Sequence, residues 1–210
     1  RTMGVFSSRG AAEDPTAAWT PDEINQFVKA AGSNKVSAMK QFITYKGSTQ
    51  GINALHSEFR LSALMIAACR GHVDTVSFLL KEGAEPEEED WRGWTATMFA
   101  ARYNHPNVIE ILLDYEAEID VQDIHGWTPL MVAACHGHAE VVQGLLANEV
   151  DEFARNEAGS TALQIAEEFD QDHIVQMLRH DSTPAAGASR EVGADEGDGG
   201  SGSGSVGADA

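Results

Sequence analysis

The chain repeats one pattern, as GWTATMFAARYNHPNVIEILL at residues 93–113 and GWTPLMVAACHGHAEVVQGLL at residues 126–146. The two segments start 33 residues apart, and four columns of residues keep this step. The columns are Gly93, Gly126 and Gly159; Ser62, Thr95, Thr128 and Thr161; Ala67, Ala100, Ala133 and Ala166; and Leu79, Leu112, Leu145 and Leu178. A fixed period of this length predicts a solenoid of stacked repeats.

Each repeat has the pattern of two short helices. Thr95 and Thr128 are suited to cap the first helix by accepting backbone N–H groups, and Pro129 suits the first helical position. In the second helix Ile109 and Leu112 are three residues apart and therefore share one apolar face. A single unit cannot bury that face, so the neighbouring units have to cover it.

The two segments resemble the ankyrin repeat, which has a Gly, a Thr-Pro-Leu-His-like tetrapeptide, paired Ala, Gly-His and a second helix rich in Val and Leu. The resemblance covers roughly residues 21–180. Only residues 128–130 keep Thr-Pro-Leu, and the expected His is replaced by Met65, Met98, Met131 and Gln164. The resemblance implies an all-α ankyrin-repeat solenoid of about five helix-turn-helix units with short hairpin loops.

We expect the repeats to span residues 20–180, in units of about 20–59, 60–92, 93–125, 126–158 and 159–180. Residues 20–23, Thr-Pro-Asp-Glu, have the composition of a capping box. The last unit carries Glu167, Glu168 and Arg179, the polar outer end that a terminal repeat requires.

Two flanking segments are expected to lie outside the stack. Residues 1–19 are predicted to be flexible, although Trp19 is a candidate to pack on the first helix. Residues 181–210 contain Gly, Ser, Ala and acidic residues with no Leu, Ile or aromatic residue, so they are predicted to be disordered. The chain opens with Arg1 rather than Met, which is consistent with a piece of a longer protein.

The net charge of −19, from 33 acidic residues against 14 Lys and Arg, limits the classes of partner. It argues against direct nucleic-acid binding and against docking on anionic lipid, and it favours a partner protein with a basic surface. No run of about 18 apolar residues is present to span a membrane. Two cysteines alone provide no disulfide framework, so a reduced compartment, the cytoplasm or nucleus, is expected.

Histidines occur in one repeat column, at His72, His105 and His138. The ankyrin resemblance implies that each connects its helix start to the neighbouring unit by hydrogen bonds. Cys69 and Cys135 precede two of these histidines by three residues, a spacing that zinc ligands also use. The two pairs lie two repeats apart, about 20 Å at the usual spacing of packed helices, which is too far for one ion. We therefore predict no metal site.

Acidic residues concentrate before two of the hairpin positions. One set is Glu82, Glu85, Glu87, Glu88, Glu89 and Asp90, and the other is Asp114, Glu116, Glu118, Asp120 and Asp123. They are interpreted either as solvated loops or as a negative rim that steers a basic partner.

The resemblance also implies which side chains face the concave side, namely those flanking the hairpin Gly and those following the Ala pair. The predicted protein-binding residues are Arg70, Trp91, Arg92, Trp94, Tyr103, Ile124, His125, Trp127 and His136. Trp, Tyr and Arg dominate interface energetics, and this composition favours a binding role. The alternative is that the indoles cover the hairpin bases and stabilise the stack.

No phosphate-binding loop, nucleophile elbow or zinc-protease helix occurs, so the chain is predicted to be a non-enzymatic scaffold without cofactors. It is expected to be a monomer that binds a protein on its concave face. Two alternatives remain open, a regulatory or targeting portion of a larger multidomain enzyme and an acidic binder of a basic nucleoprotein such as a histone.

Overall fold

A computed structural model describes residues 19–46, 49, 51–56 and 60–181. Within these ranges the chain forms ten helices in five consecutive pairs and no strand. The helices are α1 (Pro21–Ala31), α2 (Val36–Lys46), α3 (Ala63–Cys69), α4 (Val73–Lys81), α5 (Ala96–Arg102), α6 (Pro106–Asp114), α7 (Pro129–His136), α8 (Ala139–Leu146), α9 (Ala162–Glu168) and α10 (Asp172–Asp181). The prediction of an all-α stack of five units is confirmed. Residues 1–18 and 182–210, where a flexible segment and a disordered tail were predicted, lie outside the described ranges.

The helices form two layers. The first helices of the pairs, α1, α3, α5, α7 and α9, pack in chain order as an inner layer, and the second helices form an outer layer beside them. Ala67, Ala100 and Ala133 are fully buried in the inner layer, where a methyl side chain lets the helices approach closely. In the outer layer the predicted leucine column is also buried, with Leu112 fully inaccessible. The repeat register read from the sequence therefore correctly predicts which residues of these columns are buried in the core.

The helix starts follow the predicted caps with one exception. Thr20 and Glu23 form the reciprocal capping box, and Thr128 accepts a hydrogen bond from the N–H of Met131 at 3.3 Å. Ser62 and Thr161 cap their helices in the same way. The prediction was wrong for Thr95, whose buried hydroxyl makes no capping bond and has no hydrogen-bond partner in the structure. Its backbone is extended like that of the other caps, so a favourable φ and ψ alone do not produce the bond.

The first unit is closed by an aromatic cluster and a buried ion pair. Trp19 is 8% exposed and packs edge-on against Phe27 and Phe42, with ring centroids 4.9 and 4.8 Å away, as the sequence suggested. Where α1 begins and α2 ends, Lys46 Nζ lies 2.7 Å from Glu23 Oε1. The Lys46 side chain is almost completely buried, so this contact joins the start of α1 to the end of α2 inside the protein.

Histidines connect each unit to the one before it. The Nε2 of His72, His105 and His138 donates to the carbonyls of Gly32, Cys69 and Arg102, over 3.2, 3.2 and 2.9 Å. The structural role implied for this column is therefore confirmed. His173 makes a fourth bond of this kind to the Gly137 carbonyl at 3.0 Å, although it lies two residues past the column.

Candidate protein-binding surface

The exposed surface is built on three short loops, residues 90–94, 123–127 and 156–160, which we call the hairpin loops. In the first loop one carboxylate oxygen of Asp90 accepts hydrogen bonds from the backbone N–H groups of Arg92 and Trp94, at 2.7 and 2.9 Å. The other oxygen accepts from the Arg92 guanidinium. Asp90 is 5% exposed, so this carboxylate is a structural part of the loop. The interpretation of Asp90 as part of a solvated or steering acidic loop was wrong.

The next two loops repeat this arrangement one period later. Asp123 accepts from the N–H groups of His125 and Trp127 at 2.8 Å each, and the Asn156 side chain accepts from the N–H of Ser160 at 2.9 Å. These acceptors keep the 33-residue step, which was the available sequence signal for this role. Asp123, which was predicted to belong to the acidic rim, is therefore also a structural part of its loop.

The loops are joined to one another through their backbones. Ile124 N–H donates to the Arg92 carbonyl at 3.0 Å, and Glu157 N–H donates to the His125 carbonyl at 2.9 Å. Gly126 is required at this crossing because it has a φ of 75°, and a Cβ there would meet the Asn156 backbone at 3.0 Å. The side chains at the loop tips therefore have a fixed spacing.

Trp94 was predicted to be a binding residue, but its environment agrees with the alternative that the indole stabilises the stack. The indole is 8% exposed, its Nε1 donates to Asp123 Oδ2 at 3.0 Å, and its ring packs edge-on against Phe99 at 5.3 Å. The hydrogen bond to the next loop turns the ring into the stack rather than toward solvent. Trp127, in the same column, is partly buried and packs against the core.

The other predicted binding residues lie at the surface. Trp91, Ile124 and Tyr103 are 63%, 54% and 48% exposed, which is unusual for large apolar side chains. The remaining members are exposed or half-exposed, namely Arg70, Arg92, His125 and His136. His125 contacts Glu157 across two loops at 3.3 Å, and His136 stacks on His138 with centroids 5.7 Å apart.

Cation–aromatic contacts join a loop tip to a helix end. The Arg92 guanidinium lies 5.3 Å from the Trp91 ring centroid and 4.5 Å from that of Trp94. The Arg102 guanidinium lies 5.7 Å from Trp94 and 5.8 Å from Tyr103. We call these five residues the Arg–aromatic cluster. The structure thus brings together four predicted residues and adds Arg102, which the predicted set did not include.

Tyr103 belongs to a column of exposed residues at the ends of the inner-layer helices. Its members, one per unit, are Arg70, Tyr103, His136 and Phe169. Phe169 is 47% exposed and was missed, although the 33-residue step from His136 leads directly to it.

Several other acidic residues also hold the stack together. The Glu87 carboxylate accepts from the N–H of Glu118 at 2.9 Å, and the Asp120 carboxylate accepts from the N–H of Asp151 at 3.1 Å. Burial raises the pKa of both carboxyl groups, and neighbouring carboxylates raise it further, whereas these hydrogen bonds oppose the rise. The acidic segments therefore connect successive units as well as facing solvent.

Both cysteines are partly buried near the ends of inner-layer helices. Burial raises the pKa of both the Cys69 and Cys135 thiols, which keeps them protonated. Within the described residues no group of three or more metal-binding side chains is assembled. None of the helices that the structure describes is both long and apolar enough to cross a bilayer.

Comparison with known proteins agrees with this architecture. The family described as ankyrin repeats (3 copies) matches residues 27–123 and 118–186. A protein of Drosophila melanogaster named "G patch domain and ankyrin repeat-containing protein 1 homolog" is 35% identical over 77 residues, which are 37% of this chain. The match spans only 22% of that relative's length. Ankyrin repeats are generally protein-interaction modules and typically carry no catalytic activity. Because the family match extends over most of the sequence and the five helix pairs keep its period, the chain belongs to the ankyrin-repeat family.

Proposed function

We propose that the chain is a non-enzymatic scaffold that binds a partner protein on the face formed by the hairpin loops and the ends of the inner-layer helices, the predicted concave face. The observation that carries this proposal is the Arg–aromatic cluster. Trp91 and Tyr103 expose large rings to solvent while arginines stack between them. Such residues supply most of the affinity in protein interfaces because they bury a large area with few rotatable bonds.

The frame beneath this face supports the proposal. Asp90 fixes the loop that carries Trp91, and the backbone bond from Ile124 to Arg92 fixes its distance to the next loop. A partner therefore meets side chains that are already positioned, and little conformational entropy is lost when it binds. No cofactor takes part in this mechanism, and a monomer in a reduced compartment, cytoplasmic or nuclear, fits two free cysteines.

The proposal is tested by comparing the proteins that a tagged chain retains from an extract of its source. The bait carrying both Trp91→Ala and Tyr103→Ala should lose partners that the unmodified bait retains. Phe153→Ala is the matched control, because Phe153 is 70% exposed and lies in the loop between α8 and α9, in a different unit from the Arg–aromatic cluster. A purified partner that binds the double variant and the unmodified chain equally would contradict the proposal.

A second candidate is that these repeats form the docking part of a longer protein, including the regulatory portion of a multidomain enzyme. The Drosophila relative supports it, since its name combines ankyrin repeats with a G patch domain. Sequencing transcripts across the codon for Arg1 tests this candidate. A start codon close to Arg1 and a stop codon close to Ala210 would exclude it.

A further inference from the structure

We propose that the face carrying Arg70, Arg92 and Arg102 binds an acidic segment of its partner, through Asp or Glu carboxylates. This inference rests on the proposed function, because it names the chemistry of the partner at the same face. It also departs from the expectation, based on net charge alone, of a basic partner.

The first observation is that two arginines are unpaired in a chain with a large excess of acid. In the described ranges the ion pairs are Lys46–Glu23, Arg92–Asp90, His125–Glu157 and Arg179–Glu167. Arg70 and Arg102 take part in none of them, although acidic residues outnumber Lys and Arg by 33 to 14. Both side chains are exposed, so their guanidinium groups are accessible to a carboxylate of a partner.

The charges of the two arginines act on the same place. Burial raises the pKa of the Cys69 thiol, and the positive charges of Arg70 and Arg102 both oppose this rise. At Cys135, which occupies the same column two units later, burial raises the thiol pKa, the charge of Arg102 lowers it and the negative charge of Glu168 raises it further. Arg70 and Arg102 are therefore both close to Cys69, and Arg102 is also close to Cys135.

The aromatic rings leave the arginine donors in a suitable orientation. A guanidinium that lies over a ring face keeps its N–H groups at its edge, where they can bind both oxygens of a carboxylate. Arg92 uses its Nε and one terminal nitrogen on Asp90, each at 3.2 Å from Oδ2, and retains further donors. Arg102 has its whole edge available between Trp94 and Tyr103. Arg102 is therefore the central contact of the proposal, since it shares the Trp94 ring with Arg92 and acts on Cys69 together with Arg70.

The net charge of −19 does not prevent such binding. At physiological ionic strength the Debye length is about 8 Å, so the distant carboxylates are largely screened while a direct contact is not. The exposed rings of Trp91 and Tyr103 add apolar surface beside the cations. The bound segment should therefore combine acidic residues with neighbouring apolar ones.

The test uses the full chain and a random-peptide display library, since no natural partner is needed. Peptides selected on the unmodified chain should be enriched in Asp and Glu. Arg102→Glu should weaken their binding at least about tenfold, because it removes a charge partner and adds repulsion. Lys81→Glu makes the same change of net charge on exposed Lys81 of the outer helix α4 and should leave binding unchanged. Melting curves of Arg102→Glu and Arg102→Gln show that the fold is retained.

The other outcomes separate the two proposals. Selected peptides that are rich in Lys and Arg, or acidic peptides that bind Arg102→Glu as well as the unmodified chain, would overturn the acidic-segment proposal. Recovery of no peptide above the library background would also overturn it. The same holds if selection fails because copies of the chain bind to one another through this face. If the double variant Trp91→Ala, Tyr103→Ala loses peptides that Arg102→Glu retains, the binding face is right and its charge preference is wrong. If neither set of substitutions matters, both proposals fail.

Discussion

Two tryptophans three residues apart in one hairpin loop have opposite environments. Trp91 is 63% exposed, whereas Trp94 is 8% exposed and hydrogen-bonded to Asp123 of the next loop. The Arg92 guanidinium lies between them and contacts both rings. The loop therefore places a proposed binding residue three positions from a structural one, and substitutions distinguish the two roles.

Trp94→Ala should lower the free energy of unfolding by about 3–5 kcal/mol, because it leaves a cavity and an unpaired carboxylate oxygen on Asp123. Trp91→Ala should change it by no more than about 0.5 kcal/mol, because that ring is mostly in solvent. Urea unfolding of both variants measures the difference. Were Trp94→Ala to bind partners poorly while unfolding like the unmodified chain, Trp94 would be a binding anchor after all.

At the scale of single helices, much of the fold can be predicted from the sequence. The five helix pairs and the buried leucine column follow from local patterns, because caps and apolar periodicity are properties of adjacent residues. The environment of Trp94 does not, since its partner Asp123 is 29 residues away and the contact depends on how two loops meet. The same reason applies to Glu87 and Asp120, whose backbone partners lie in the following unit.

Leu112→Ala in α6 should destabilise the protein by about 2–5 kcal/mol, because Leu112 is fully buried in a central unit and its truncation opens a cavity. Leu113→Ala is the matched control, since Leu113 follows it directly and is only partly buried. Denaturant unfolding of the pair tests the helix register. Equal losses, or a larger loss for Leu113→Ala, would show that the assigned face is wrong.

The ion pair between α1 and α2 gives a pH-dependent prediction. Burial alone would raise the pKa of Glu23, but hydrogen bonds from Lys46 and Thr20 and the Lys46 charge outweigh it and hold the pKa below its ordinary value of 4.5. The stabilisation is therefore complete above pH 4.5 and is lost as the pH falls through the lower, folded-state pKa.

Glu23→Gln should cost about 3–5 kcal/mol at neutral pH, because it leaves buried Lys46 without a countercharge. The cost should shrink in acid, where Glu23 of the unmodified chain is itself protonated. Thermal melts of both proteins, from neutral pH to below pH 4.5, measure how the stability difference depends on pH. Adding Lys46→Met should recover much of the loss, and a double variant no more stable than Glu23→Gln would contradict the charge argument.

At the scale of the whole molecule, the two layers of helices end in units with different outer surfaces. The first unit closes with Trp19 against Phe27 and Phe42, whereas the last exposes Glu167 and Arg179, which form a salt bridge at 2.6 Å. Between them, the exposed face changes from arginines at the second and third units to Glu168 at the fifth. This change of side-chain charge along the exposed face would give a bound acidic segment a preferred direction.

Ending the chain after Asp181 should leave the melting temperature within about 2 °C of the full chain, because α10 and its buried residue Leu178 are retained. Calorimetry of the two proteins at matched concentration measures this. A decrease of many degrees would show that residues beyond α10 pack on the stack.

The hydrogen bonds between units also determine the order in which the chain can fold. Side chains bridge 29 residues from Trp94 to Asp123 and 41 residues from Thr75 to Asn34, so no distant chain segments need to meet. Loop-closure entropy is then similar at every step, and folding can begin at any adjacent pair of units and spread along the chain. On a ribosome adding about 5–20 residues per second, a 33-residue unit takes roughly two to seven seconds to synthesise. From the third unit onward, each unit would thus emerge after an adjacent pair has had time to fold, and that pair would provide the surface on which it packs.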